Sequence, residues 1–278
     1  MKNPAVRLLA ILATALPLVG MAQDSAAPTD PTFRFAVEPA YPPSQAREVY
    51  RPLLEYLTAK TGRKFELVAV RNYHFYWRDL QQHADPDFVF EEAHFTDYRI
   101  QRDGYVPLAR KSEPAVYVLM ASPDVADEGL AGLVGRAVVS MPAPSLGFAA
   151  LTELYRNPVA QPEIRSEAST WRDGVEMVFS GDAAAAMVPE FIAQQYPNLV
   201  EVARSKPLPG AAVSASPKVP EDVRQAVREA LLQINEDPSA FEVLAELGMS
   251  AFVPASAAEY RGKHELLSGF FGYVPPKP

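Results

Sequence analysis

The residues able to make or break a bond are sparsely placed in this chain. No Gly-x-Ser-x-Gly turn, Ser-x-x-Lys pair, phosphate-cradling Gly-x-x-x-x-Gly-Lys loop, Gly-x-Gly-x-x-Gly loop or His-Glu-x-x-His helix occurs. With zero Cys, thiolate nucleophiles, disulfides and Cys-ligated metals are excluded. The four histidines, His74, His83, His94 and His264, stand far apart. The nearest approach to a metal set is Glu91, Glu92 and His94. On a helical turn Glu91 and His94 share a face, and two carboxylates with an imidazole suit a divalent ion. The competing reading is a solvated loop edge running into a helix.

Binding chemistry is better represented. Ligands of α/β proteins sit beyond the carboxyl ends of strands. Four segments fall there. The first is Pro39–Ser44, with Tyr41. The second is the aromatic run Asn72–Trp77, with Tyr73 and His74. The third is Glu91–His94. The fourth is Pro144, Ser145, Leu146 and Gly147 at a helix start, where free N–H groups favour an anion. Five aromatic or polar-tipped groups in sequence cannot all point into one core face, so the second segment is a candidate ligand cage. A carboxylate with several aromatics suits an ammonium group through charge and cation–π contact.

Alternating strands and helices must position these segments. Phe33, Phe35 and Val37 alternate with polar or small residues and predict a strand. Ser44 is a plausible N-cap for a helix to about Lys60, with Val49, Leu53, Leu54 and Leu57 on one face and Gly62 closing it. Further strands are expected at 65–70, 87–90, 105–109, 115–121, 136–140, 183–188 and 199–203. Helices are expected at 72–82, 95–102, from Ser145, from Thr170 to Phe179 with Asp173 as capping partner, and from Pro220. This alternation predicts α/β architecture with mainly parallel sheets.

At 278 residues, about two domains are expected. Net charge −8 and a sequence pI of about 5.1 argue against nucleic acid or an anionic membrane as partner. Lys2 and Arg7 precede the apolar run Leu8–Val19, and Gly20 and Ala22 follow as small residues. That order predicts a secretory signal peptide over 1–22, too short to span a bilayer. A periplasmic protein without a lipid anchor is expected, since no Cys is present to carry one.

Five stretches in order carry a resemblance: FAVEPAYPPSQAREVYRPLLEYLTAKTG, DFVFEEAHFTDYRIQRDGYVPLAR, LVGRAVVSMPAPSLGFAALTELYR, FSGDAAAAMVPEF and SKPLPGAAVSASPKVPEDVRQAVREALLQI. Over residues 33–270 the chain resembles the periplasmic binding proteins of phosphate, phosphite and phosphonate ABC transporters. These have the two-lobed type 2 fold, each lobe a mainly parallel sheet flanked by helices. The resemblance implies lobe one over 31–120 and 210–278, lobe two over 121–209, and a two-strand hinge near 118–122 and 207–213. It implies a monomer that closes on a small solute, docks on an inner-membrane permease, needs no cofactor and catalyses nothing. Asp182, in the Gly-Asp-Ala stretch, joins the expected ligand contacts. A sensing module for a periplasmic receptor or sensor kinase is the first alternative, and a metal-dependent enzyme on the same fold the second. Two departures bear on the ligand. Pro144, Ser145, Leu146 and Gly147 replace the family's Ser-Thr-Ser-Gly run. Glu91 and Glu92 stand where the family tends to have Tyr-Gly, and a carboxylate repels a phosphonate dianion. A zwitterionic ligand is therefore expected beside the phosphonate-like oxyanion.

Cleavage after Ala22 predicts that exported protein begins at Gln23 or its cyclised form. N-terminal mass analysis of the periplasmic fraction checks this, and a mature chain retaining Leu8–Val19 contradicts it.

Overall fold

The computed structural model describes residues 31–276, so the signal-peptide segment lies outside the described residues. Strand β1 (Thr32–Val37) buries Phe33, Phe35 and Val37. Helix α1 (Pro43–Thr61) covers them with Ala46, Val49, Tyr50, Leu53, Tyr56 and Leu57. Pro42, rather than the expected Ser44, occupies its N-cap, because Pro43 already has a helical φ and needs no N–H partner. Gly62 ends the helix with φ +66°. The chain then returns as β2 (Lys64–Val68), parallel to β1.

Asn72 caps α2 (Tyr73–Gln81), its Oδ1 accepting from the N–H groups of His74 and Phe75. Strand β3 (Phe88–Glu91) leads directly into α3 (Ala93–Asp103). The remaining strands are β4 (Val106–Lys111), β5 (Tyr117–Ala121), β6 (Ala137–Val139), β7 (Glu163–Arg165), β8 (Ala185–Pro189), β9 (Val200–Arg204), β10 (Ala212–Ala215) and β11 (Phe252–Pro254). Thr170 and Asp173 form the expected capping box of the helix Trp171–Phe179.

Two sheets result. The first has the order β11-β4-β10-β3-β1-β2 and the second β7-β6-β8-β5-β9. Both are mixed. In the first, β10 and β11 run against β1 to β4; in the second, β5 runs against the others. The three-residue strands β7 and β11 escape a periodicity reading because they are too short to alternate visibly.

The chain passes between the sheets twice, over 112–116 and 205–211. The strand Tyr117–Ala121 lies wholly in the second sheet, between β8 and β9. The first crossing is therefore earlier than the expected 118–122. An uncharged strand reads alike as hinge or as sheet interior, and here it is an interior strand of the second sheet. The crossings pair with each other: Ala115 N–H donates to the Leu208 carbonyl at 2.9 Å and Leu208 N–H to the Ala115 carbonyl at 3.0 Å. Gly210 permits this approach, since a Cβ there would stand 2.4 Å from the Glu113 carbonyl oxygen and 2.7 Å from that of Lys111.

The segment after Gly262 is a third link between the lobes. Trp77 Nε1–H donates to the Phe271 carbonyl at 2.8 Å, and Tyr98 OH to that of Val274 at 3.1 Å. Both donors lie on α2 and α3. The Phe270 ring packs 5.9 Å from Phe148, on the helix Leu146–Leu154 behind the second sheet.

Gly210→Ala is expected to force the crossings apart and cost about 1–3 kcal/mol in urea unfolding. Gly269→Ala, where a Cβ meets nothing within 4 Å, is expected to change little. Equal effects of the two would contradict the close-approach reading.

Candidate functional site

Successive residues at the end of a strand point to opposite faces, and the two carboxylates ending β3 show it. Glu91 turns toward α2 and α3. Its Oε1 accepts from Arg99 Nε at 2.7 Å and from the Tyr76 hydroxyl, and all three residues are buried. The Arg99 guanidinium also lies 5.2 Å from the Tyr105 ring. Burial opposes the charge on Arg99, yet Glu91 beside it holds it protonated, above the ordinary range.

Glu92 turns the other way, into a cavity between the lobes. There it meets Glu38, the residue after β1. Glu38 Oε2 accepts from the Tyr73 hydroxyl at 3.1 Å, and its Oε1 accepts from the Glu92 N–H. Burial, then repulsion by Glu92, raise the Glu38 carboxyl well above the ordinary carboxylate range. Burial likewise raises Glu92, to about 6, against the opposing pull of Lys111. Lys111 itself is lowered by burial, with Glu92 acting the other way. Its Nζ donates to the Leu247 carbonyl at 2.7 Å and lies 5.9 Å from the Phe90 ring and 5.6 Å from that of Phe191.

The first lobe contributes Tyr41, Tyr50, Tyr73 and Phe90 to the wall beside Glu38, Glu92 and Lys111, with exposed Glu246 at the rim. The second lobe contributes Tyr117, Trp171, Pro189 and Phe191. Tyr117 and Trp171 meet edge to face, ring centres 5.3 Å apart. Their seat is Gly147: a Cβ there would stand 2.8 Å from the Trp171 ring and 3.0 Å from Tyr117. The cavity holds about 80 Å³, roughly five to eight water positions, which suits a small solute and not a peptide.

Of the residues expected at the site, Tyr41, Tyr73 and Glu92 line this cavity. The others do not. His74 is exposed on the first turn of α2. Glu91 is consumed by Arg99. His94 is fully buried, and its Nε2 meets the Pro144 carbonyl at 2.8 Å, a direct bond from α3 to the second lobe. Ser145 is fully buried too; its Oγ accepts from Phe148 N–H and donates to the Met141 carbonyl, so its capping capacity is spent locally. Leu146 faces a separate cavity with Lys206 and Lys263. Gly147 acts through the space it leaves for Trp171. Asp182 is exposed and precedes β8, whereas the cavity lies at the opposite, Pro189 end of that strand; its carboxylate accepts from Ser180 Oγ at 2.7 Å.

Glu91, Glu92 and His94 do not gather as a metal set, since among the described residues their ligand atoms do not come together within 4.8 Å. Among the described residues, the trio whose ligand atoms lie within 4.8 Å of one another is His83, Asp85 and Asp103. Among the lining residues missed from sequence are Glu38, Tyr50, Phe90, Lys111, Tyr117, Trp171, Phe191 and Glu246. Glu38 carried a signal, a lone acid ending an apolar strand. Phe191 and Lys111 carried none.

The His94 imidazole gives a pH prediction. Burial lowers it from 6.5 to about 4, so the unfolded chain takes up its proton first. Stability attributable to His94 is fully present above pH 6.5 and falls by roughly 3 kcal/mol as pH drops to 4. Glu92 acts oppositely, because the folded state holds its proton more tightly between the ordinary 4.5 and about 6. His94→Gln is expected to flatten the acid limb of urea-derived stability between pH 6.5 and 4. An unchanged slope would place the His94 proton elsewhere.

Comparison with known proteins places these features in a family. No curated protein matches the chain. Among solved structures, PhnD1 from Prochlorococcus marinus, in complex with methylphosphonate, is similar at TM-score 0.71 and 12% identity, covering 85% of this chain and 97% of that one. A binding protein component of an ABC phosphonate transporter from Pseudomonas aeruginosa is similar at TM-score 0.71 and 13% identity, covering 86% of each chain. XAC2383 from Xanthomonas citri, bound to ATP, is similar at TM-score 0.66 and 18% identity, covering 86% of this chain and 96% of that one. These likenesses establish the two-lobed periplasmic-binding-protein fold. The family model for phosphonate ABC transporter periplasmic substrate-binding proteins matches residues 35–260. This chain belongs to the phosphonate ABC transporter periplasmic substrate-binding proteins.

Proposed function

We propose that this protein, as a monomer, captures one small solute in the cavity between its lobes and delivers it to an ABC permease, without altering it. The observation that carries the reading is the shared wall. Tyr41, Tyr73 and Glu92 come from one sheet's elements, and Tyr117, Trp171 and Phe191 from the other's. A solute seated there touches both lobes, so its binding energy holds them together. Among the described residues the chain passes directly from sheet to sheet in two short segments, and Gly210 lets them approach. The permease then recognises the closed form. Family membership supports the export address and the permease partner.

Protein purified from a periplasmic extract without denaturation is expected to retain a small molecule in native mass spectrometry. Phe191→Ala, at a rim position already 36% exposed, and Trp171→Ala are each expected to weaken retention about tenfold or more. Circular dichroism checks that both variants fold. Retention unaffected by both would move the solute out of this cavity.

A further inference from the structure

We infer that the solute carries an ammonium group and no net negative charge, so that this member of a phosphonate-binding family accepts an organic cation or a betaine-like zwitterion. The inference rests on the cavity being the solute site. Its chemistry follows from the balance of groups on the wall. Glu38, Glu92 and Glu246 line the cavity, and none of them forms an ion pair within 4.0 Å among the described residues. Against three acids stands one cationic lining residue, Lys111, whose ammonium is already bonded to the Leu247 carbonyl.

Glu92 is the second observation. Its Oε2 is buried and finds no hydrogen-bond partner among the described residues. A carboxylate oxygen removed from water without a donor is costly; a protonated amine supplies both donor and charge, and a quaternary ammonium supplies the charge alone. The third observation is aromatic. The wall already holds one ammonium among rings: Lys111 Nζ lies 5.6 Å from Phe191 and 5.9 Å from Phe90. Tyr41, Tyr73, Tyr117 and Trp171 line the rest of the cavity with no cation among them. Ring faces next to unpaired carboxylates form an environment that attracts a desolvated cation.

The same wall disfavours a phosphonate dianion. Such a ligand needs several donors at its oxygens. The helix start at Ser145 does not line this cavity, and the Ser145 hydroxyl is buried and bonded to Phe148 N–H and the Met141 carbonyl. A dianion would also meet the Glu92 carboxylate at close range with little water to screen it.

Isothermal titration of the exported chain with choline, ethanolamine, glycine betaine and methylphosphonate tests this. Choline, ethanolamine or betaine is expected to bind at least roughly 100-fold more tightly than methylphosphonate. Glu92→Gln and Trp171→Ala are each expected to weaken that binding about tenfold, with the thermal transition as the check on folding. Tighter binding of methylphosphonate than of all three amines overturns the inference. Failure of all four to bind also overturns it for these classes. In that case the cavity reading still stands or falls on whether Trp171→Ala and Phe191→Ala release the solute retained in native mass spectrometry. Undiminished ammonium binding in both Glu92→Gln and Trp171→Ala would place the cation elsewhere on the molecule and overturn it too.

Discussion

Two adjacent carboxylates ending a buried strand cannot both be left without partners where water is scarce. The β3–α3 turn is organised around that constraint. Glu91 takes Arg99 and the Tyr76 hydroxyl through one oxygen, Oε1, and the three lie together under α2 and α3. Removing one member of such a pair leaves a buried charge, typically a loss of about 3–5 kcal/mol. The pair thus pins the direction of Glu91, and strand geometry then sends Glu92 to the other side. There Glu92 joins Glu38 instead of a guanidinium, and the two share a place that neither burial nor mutual repulsion favours. One strand end therefore yields a structural ion pair on one face and a polar, unsatisfied wall on the other.

The opposite wall depends on an absence of atoms. Gly147 lies within the first turn of its helix, where its lack of a side chain admits the Trp171 ring. Trp171 in turn starts a helix held by the Thr170–Asp173 capping box. The cap fixes where that helix begins, and so where its first side chain stands. Loops around a cavity are commonly mobile, but this wall is set by a helix start and a strand, β5, on which Tyr117 sits. Such placement holds aromatic surfaces in position before a ligand arrives.

Much of the frame was legible in sequence because it repeats. The stripe Val49, Leu53, Leu57, the Asn72 start and the Thr170–Asp173 pair each follow from helical spacing or capping chemistry, and each recurs in the structure. The cavity lining was legible in part. Tyr41, Tyr73 and Glu92, expected because they follow strands, line the cavity. Glu91 was misplaced because a sequence does not say which of two neighbouring acids faces Arg99, eight residues on. His94 and Ser145 were correctly sensed as polar groups at helix starts, but their partners, Pro144 and Met141, are backbone carbonyls, which leave no mark on composition. Lys111 and Phe191 enter the cavity only through the pairing of β4 and the end of β8, long-range relations with no local signature. The β5 position was hidden for a related reason: a strand buried on every residue has no period to read.

The segment after Gly262 changes the mechanics of the pair of lobes. Two bodies joined along one line can rotate about it freely; a third attachment off that line removes the freedom. Phe270 against Phe148, with Trp77 and Tyr98 bonded to the carbonyls of Phe271 and Val274, is such an attachment. Any wide swing of one lobe must peel aromatic surface from aromatic surface, and that resistance acts like a spring in parallel with the crossings. The travel available to this molecule is therefore limited by a stretch of chain that does not line the cavity, and its stiffness can drift in evolution without altering a single lining residue.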